Sequence, residues 1–306
     1  MGASREAASG IVDAREFGAR IKKIASAISR PGPTKADAFL AVCRNGIGWE
    51  DIYYLTGFSG TSGALVITRD DSRLFVDSRY AGAVEESPVY ANVSCLPGMN
   101  ASPLGAAVKY IESARASRVA FGGSDLPLTL YREISRAFGE SGLADLSGFL
   151  AGMRRGKSKY EIGCIIEAIR IASDAFGAAA AKCGPGVTER QFASRLEFEI
   201  AERGGLAAAR SIVASGARTA MPHAFPTDKK FERGDMVLVD FCVRRLGYVC
   251  DITRTMSVGG MDENMRKLYS VVRWAQEEAA ALIVHGRAAR EVDAAARGVM
   301  ESAGLG

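Results

Sequence analysis

The fold of the second half of this chain is decided by two runs of alternating apolar residues: Met236-Val-Leu-Val-Asp-Phe-Cys242 and Tyr248-Val-Cys-Asp-Ile-Thr-Arg-Thr-Met-Ser-Val258. The runs have a period of two and are joined through the short segment Arg244-Arg245-Leu246-Gly247, a pattern that predicts a β-hairpin. Each run carries one aspartate, Asp240 or Asp251, whose apolar neighbours suggest burial. A buried carboxylate is costly without a partner, so we expect each aspartate to have one.

The position of the turn decides which residues face each other across the hairpin. If the strands close symmetrically about Arg245 and Leu246, Asp240 lies directly opposite Asp251, with Cβ atoms roughly 4.5–5.5 Å apart. Carboxylates this close repel unless one takes up a proton or a multivalent cation lies between them, and hard oxygen ligands suit such an ion. The alternatives are that each aspartate pairs with an arginine such as Arg254, or that an odd-length loop places the two side chains on opposite faces.

Shorter patterns describe the residues that precede the hairpin. Asp13 and Glu16, followed by apolar residues at helical spacing, predict a capped amphipathic helix that ends before Pro31. Apolar runs predict further strands at 37–43, 63–68, 73–77 and 118–121, with a helix over 103–114. This alternation of strands and helices predicts a compact α/β domain over residues 1–150.

A change of pattern marks a second domain, expected over residues 151–306. Ser158-Lys-Tyr-Glu161 forms a capping box ahead of one long apolar stripe, which consists of Ile162, Ile165, Ile166, Ile169, Ala172 and Phe176. This helix is predicted to end at Gly184-Pro185-Gly186. Thr188 with Gln191 predicts the start of another helix. With the hairpin that follows, the fold class expected for the whole chain is α/β, or α+β.

Composition narrows the possible partners and compartment. The chain has 306 residues and a formal net charge of +4 without a basic block, which argues against nucleic acid and membranes as partners. The N-terminal residues MGASREAASG lack the apolar core of a signal peptide, and no apolar stretch approaches membrane-spanning length. The six cysteines form no CxxC pair, so a reducing cytoplasm is expected.

Several blocks of the sequence resemble, in the same order, those of Xaa-Pro dipeptidases and aminopeptidases P. They are Ser215–His223, Pro226–Asp228, Gly234–Asp235, Val239–Phe241 and Gly247–Thr255, preceded by Tyr54–Gly60 and Val76–Tyr80 near the front. The resemblance covers nearly the whole chain. It implies a creatinase-like N-terminal α/β domain followed by a pita-bread metallopeptidase domain, with Xaa-Pro peptides as substrates and a homodimer as the assembly.

The resemblance also implies roles for individual residues. In that family two divalent cations, Mn, Zn or Co, are held by two Asp, one His and two Glu, and they activate a water molecule that attacks the scissile carbonyl. Asp240 and Asp251 match the two aspartates, and His223 matches the histidine that faces the substrate. Thr253 lies two residues beyond Asp251 and so on the same strand face. It is either a hydrogen-bond partner of the carboxylates or a β-branched residue that simply suits a strand. Cys242 stands where the family usually has glycine, so its side chain either crowds the site or fills the core.

The same resemblance places three further ligands, one His and two Glu, beyond the point where this sequence stops. It therefore implies a pita-bread domain without its C-terminal part, weak or absent binding of the two cations, and little or no Xaa-Pro hydrolysis by these 306 residues. His285, just before Gly286, is expected to cap the end of a helix and not to bind metal. Two alternatives stay open: a binding protein or remnant with a peptidase-like fold and no hydrolysis, and a metal-free creatinase-like hydrolase. Retention of both aspartates argues against the creatinase-like alternative.

Overall fold

The computed structural model of this chain describes residues 14–86, 88–122 and 126–305. The chain divides into two compact units, Met1–Gly163 and Cys164–Gly306. Each unit has an apolar core of its own. The predicted helix cap at Asp13 lies outside the described residues.

The first unit is built on a six-stranded mixed sheet with the spatial order β4-β3-β2-β1-β5-β6. Only β2 runs antiparallel to its neighbours, and the other adjacent pairs are parallel. The strands are β1 (Ala38–Arg44), β2 (Ser62–Ile67), β3 (Ser72–Asp77), β4 (Asn92–Leu96), β5 (Val119–Phe121) and β6 (Leu143–Asp145). The helices are α1 (Ala14–Ser29), α2 (Trp49–Thr56), α3 (Ala81–Glu86), α4 (Pro103–Ser113), α5 (Leu128–Phe138) and α6 (Ser147–Arg155).

Helices cover both faces of this sheet because the side chains of β1 alternate between two apolar cores. Phe39 packs in one core with Ile24 of α1 and Ile52 of α2. Leu40 packs in the other core with Ile111 of α4. The first unit is thus an α/β layer structure, and the expected fold class is confirmed.

The predicted elements of the first unit agree well with the observed ones. The strands expected at 37–43, 63–68, 73–77 and 118–121 and the helix expected over 103–114 are confirmed to within one residue at each end. The opening helix ends at Ser29, ahead of Pro31 as predicted. Apolar runs located these elements because the strands are buried and therefore lack polar interruptions.

The second unit packs helices against one face of a four-stranded sheet. Its strands are β7 (Leu206–Ala207), β8 (Ile212–Ser215), β9 (Met236–Arg245) and β10 (Tyr248–Ser257), and β9 pairs with the other three in antiparallel fashion. Its helices are α7 (Lys159–Ala180), which begins in the first unit, α8 (Glu189–Glu202), α9 (Glu263–Ala281) and α10 (Ala289–Ser302). Both predicted capping boxes, at the starts of α7 and α8, are confirmed by their reciprocal hydrogen bonds.

Two details of the predicted helices are wrong. Of the stripe predicted on α7, Ile162, Ile166 and Ile169 are exposed by 40–60%, whereas Ala172 is buried and Phe176 packs against the core. The helix faces the core mainly through Ala168, Ile171, Ala172 and Ala175. Small side chains on that face give a weaker sequence signal than isoleucines do. His285 does not cap a helix, because α9 already ends at Ala281 and His285 lies in the connection to α10. Among the described residues, no helix has the length and apolarity needed to span a bilayer.

Candidate metal centre

The hairpin that carries both aspartates closes through a two-residue turn, Leu246-Gly247. Both residues have positive φ, 50° and 76°, as a type I′ turn requires. This turn matches the right-handed twist of the flanking strands, and glycine adopts such a conformation without steric cost. The turn therefore pairs Arg245 with Tyr248 and sets the register of the whole hairpin.

In this register Asp240 lies opposite Thr253, and Asp251 lies opposite Cys242. The prediction that the two aspartates face each other directly is wrong, because the turn is centred one residue later than expected and the pairing shifts by two. An even shift keeps both side chains on the same face of the sheet. The two aspartates are diagonal neighbours, a relation that typically separates residues by about 7–8 Å.

The shared face of the two aspartates is more open than the sequence indicated. Odd-numbered residues of β9 such as Val239 point into the core, whereas Asp240 on the other face is only partly buried. Asp251 and Thr253 are exposed. The expected burial is therefore wrong, because the apolar neighbours of each aspartate belong to the opposite face. Within the described ranges, no lysine or arginine lies within ion-pair distance of Asp240 or Asp251, so the predicted pairing with arginine is not observed.

Cys242 lies on this same face, directly opposite Asp251. Its pKa is raised to about 11, first by burial and then by its hydrogen bond to Asp251 and the negative charges of Asp251 and Asp240. At neutral pH the side chain is therefore an uncharged thiol that can donate to the Asp251 carboxylate. Cys242 thus faces the carboxylates and does not fill the core.

Beside the carboxylates, β10 and α9 border an open cleft of about 640 Å³. Asp251, Thr253 and Thr255 line it from the strand, and Tyr269, Arg273 and Gln276 line it from the helix. Its volume falls in the range typical of small-ligand sites. The cleft thus offers a mixed polar and aromatic surface next to Asp251.

His223 lies on a loop, as predicted, and it is exposed. The loop follows β8 and a short 3-10 helix, Gly216–Ala220, and β8 pairs with the strand of Asp240 through Ile212. The chain therefore enters the His223 loop from the strand next to Asp240. A location of His223 at the rim of the cleft stays a prediction.

Sequence reasoning missed one residue in this region. Glu189, the first residue of α8, is fully buried and binds Ser215, Arg218 and Thr227 around the His223 loop. An acidic residue in the first turn of a helix is ordinarily read as a surface residue that favours the helix dipole. The only sequence signal for a buried acceptor was the presence of two potential hydrogen-bond donors, Ser215 and Thr227, in the family-like blocks downstream.

The two carboxylates fit part of a centre for a hard divalent cation. Asp240 and Asp251 together offer at most four oxygens on one accessible face. In the part of the chain that the structure describes, no three or more His, Cys, Asp or Glu side chains are grouped to hold a metal ion. The described residues therefore supply ligands for a cation but not a full coordination shell for two.

Comparisons with known proteins agree with both halves of the fold. The family profile described as "Metallopeptidase family M24" matches residues 163–306. A second profile, "Creatinase/Prolidase N-terminal domain", matches residues 20–155.

Curated relatives cover most of the chain. "Uncharacterized peptidase YqhT" of Bacillus subtilis is 32% identical over 257 residues, which cover 84% of this chain and 72% of the relative. "Xaa-Pro dipeptidase" of Pyrococcus horikoshii is 30% identical over 259 residues, covering 84% of this chain and 71% of the relative.

Solved structures share the architecture. X-Pro aminopeptidase from Thermotoga maritima superposes with a TM-score of 0.82 at 29% identity, over 88% of this chain and 76% of the other. The prolidase from Pyrococcus horikoshii superposes with a TM-score of 0.78 at 27% identity, over 94% and 78%.

Proposed function

Because this chain belongs to metallopeptidase family M24 and carries a creatinase/prolidase N-terminal domain, we propose that it is a metal-dependent exopeptidase that cleaves the bond between an N-terminal residue and a following proline. The observation that carries the proposal is the placement of Asp240 and Asp251 on one accessible face, with Asp251 lining an open cleft. The names of two relatives, Xaa-Pro dipeptidase and X-Pro aminopeptidase, support the choice of peptide bond.

In this proposal Asp240 and Asp251 bind divalent cations, with Mn, Zn or Co as candidates. When bound, such ions polarise a carbonyl oxygen and lower the pKa of a coordinated water. Thr253 lies directly opposite Asp240, and its hydroxyl group is the proposed partner that orients the Asp240 carboxylate. His223 is the proposed donor to the substrate carbonyl, where a hydrogen bond stabilises developing negative charge.

We also propose the setting in which the enzyme acts. None of the six cysteines, all within the described residues, forms a disulfide, and five of them are at least partly buried, which suits a reducing cytoplasm. Short Xaa-Pro peptides are the proposed substrates, and a homodimer is the proposed assembly. Nucleic acid and membranes are not proposed partners, in keeping with the small net charge of +4.

Metal binding tests the proposed centre directly. Free Mn²⁺ can be titrated against the protein and followed by electron paramagnetic resonance. We expect the 306-residue chain to bind Mn²⁺ weakly, because Asp240 and Asp251 together offer at most four oxygens. In Asp240→Asn and in Asp251→Asn the affinity for Mn²⁺ should fall by a further factor of about ten or more. Asp228→Asn is the matched control, since Asp228 is an exposed aspartate paired with Arg190. Mn²⁺ binding that neither substitution at the pair weakens would contradict the proposed centre.

Hydrolysis tests the proposed activity. The assay is release of the first residue from a Xaa-Pro dipeptide and from a longer Xaa-Pro peptide with added Mn²⁺ or Zn²⁺. We expect little or no turnover by the 306-residue chain and a gain of turnover when it is extended at its C-terminus with the C-terminal segment of a family member such as the Bacillus subtilis relative. Asp240→Asn should lower the turnover rate of the extended protein by about a hundredfold or more, because the reacting groups lose their positioning. Peptide binding without metal-dependent turnover in either form would instead favour the non-hydrolytic binding protein.

A further inference from the structure

A single buried carboxylate holds both ends of the segment that carries His223. Glu189 has no exposed surface. Its Oε1 accepts hydrogen bonds from the backbone N–H and the hydroxyl of Ser215, each at 2.9 Å. Its Oε2 accepts hydrogen bonds from the backbone N–H of Thr227 at 3.0 Å and from its hydroxyl at 2.7 Å. Ser215 is the last residue of β8, before the His223 loop, and Thr227 lies at the end of that loop. The Glu189 carboxylate therefore links the two ends of the loop.

Arg218 adds a third attachment inside the loop. Its Nε lies 3.2 Å from both oxygens of Glu189, and its Nη2 donates to the carbonyl oxygen of Phe225 at 2.9 Å. Phe225 is two residues beyond His223, and its ring lies 4.0 Å from the guanidinium of Arg210. The backbone on both sides of His223 is therefore tied back to Glu189, directly or through Arg218.

The first turn of α8 also holds the far end of the segment. The backbone N–H of Glu189 donates to the carbonyl oxygen of Lys229, and that of Arg190 donates to the carbonyl oxygen of Thr227, both at 3.0 Å. These bonds use N–H groups that a helix N-terminus leaves without intrahelical partners. The loop is consequently fixed to one rigid helix end by main chain and side chain together.

We propose that Glu189 is a positioning residue that holds the His223 segment, residues 216–227, in the conformation that presents His223 to substrate. The inference rests on the role proposed above for His223. Glu189 itself is buried and does not touch substrate. It acts through Ser215, Arg218 and Thr227, whose bonds to it fix the path of the loop.

The chemistry of the partners requires a carboxylate at this position. The fixed donors are the two backbone N–H groups and the Nε of Arg218, and none of these groups can accept a hydrogen bond. A glutamine would place an amide NH₂ against one of these donors and would leave a buried donor without an acceptor. Glu189→Gln is therefore a disruptive change even though glutamine has nearly the same shape.

Chemical labelling of histidine gives a readout that does not depend on turnover. The chain has only two histidines, and His285 lies in the connection between α9 and α10 and so provides an internal reference. Diethyl pyrocarbonate labelling, followed by mass spectrometry, would compare the two rates with and without a Xaa-Pro dipeptide. In the unmodified protein the dipeptide should slow labelling of His223 and leave His285 unchanged.

In Glu189→Gln we expect backbone hydrogen exchange of residues 216–227 to accelerate by about tenfold or more. Loss of a charge-assisted hydrogen bond shifts the local opening equilibrium by about this factor, and the exchange rate follows that equilibrium. Protection of His223 by the dipeptide should disappear while labelling of His285 stays constant. Glu199→Gln is the matched control, because Glu199 is a buried carboxylate of the same helix that pairs with Lys182 and Arg203, away from the loop. Thr227→Val, which removes one hydroxyl, provides a milder variant if Glu189→Gln does not fold.

The outcomes separate this inference from the proposed function. If the dipeptide fails to protect His223 in the unmodified protein, the proposed role of His223 is wrong. If it protects His223 equally well in the unmodified protein, Glu189→Gln and Thr227→Val, the positioning role of Glu189 is overturned and the proposed function stands. If Glu199→Gln has the same effect as Glu189→Gln, the change reflects general destabilisation and the inference also fails.

Discussion

Arg20 of α1 carries a buried positive charge in the first unit. It is 4% exposed, forms an ion pair with Glu16, lies 3.3 Å from Glu161, and donates to the carbonyl oxygen of Tyr54 at 2.8 Å. Removing one member of such a group leaves the opposite charges buried without compensation. We expect Arg20→Ala to lower the free energy of unfolding by about 3–5 kcal/mol, measured by urea denaturation.

An exposed arginine provides the comparison for this prediction. Arg170 of α7 is 57% exposed and pairs with Glu167 and Asp174. Exposed pairs contribute little, so Arg170→Ala should cost no more than about 1 kcal/mol. Equal losses in the two variants would show that burial does not set the cost at Arg20. The i,i+4 spacing of Glu16 and Arg20 on α1 is a local pattern. Nothing local indicated that Glu161 would join them, because it is distant along the chain.

At the scale of elements, the turn of the hairpin can be changed without touching the carboxylates. Leu246 has φ of 50°, a conformation in which a leucine side chain is strained and asparagine is favoured. Leu246→Asn should raise the free energy of unfolding by about 1 kcal/mol, and Gly247→Ala should lower it by about 1–2 kcal/mol. Thermal unfolding followed by circular dichroism measures both changes. A stabilising Gly247→Ala would be incompatible with positive φ at that residue.

The same turn shows what sequence reasoning could and could not establish. Both strands of the hairpin and the shared face of Asp240 and Asp251 were predictable, because alternation fixes which residues lie on the same side. The register was not, since Leu246 is an unusual residue for a left-handed turn position and the four residues Arg244–Gly247 allow more than one centre. The burial of Glu189 was equally hidden, because it depends on Ser215 and Thr227, which are far away in sequence.

At the scale of the whole molecule, stability resides in separate apolar cores and not at the carboxylate pair. Leu196 and Val239 are fully buried in the core of the second unit, whereas Asp251 is exposed. Stripping metal with EDTA should therefore shift the melting temperature by less than about 2 °C, since a weakly held ligand adds little to stability. Leu196→Ala should cost about 2–5 kcal/mol as a positive control. A large fall in the melting temperature on adding EDTA would show that a bound ion stabilises the fold.

The division into two units was predictable from length, but its position was less so. A chain of 306 residues ordinarily forms more than one domain. The structure divides between Gly163 and Cys164, inside the continuous helix α7. The chain passes through this point as one continuous helix, so the change of pattern at the capping box of Ser158 marks the start of α7 and not the division itself.

Asp251 lies two residues from Thr253, the pairing partner of Asp240, and this even spacing has a consequence for how the protein can evolve. Substitutions in the turn alter stability by small amounts and leave both carboxylates on the accessible face. Adding or deleting one residue within β9 or β10 would instead rotate one aspartate into the apolar core, because neighbouring side chains of a strand alternate between faces. Surface hairpins commonly tolerate changes in length as well as in composition. Single-codon insertions and deletions in the strands between the two aspartates are therefore length changes that selection must remove, even where substitutions of exposed hairpin residues are tolerated.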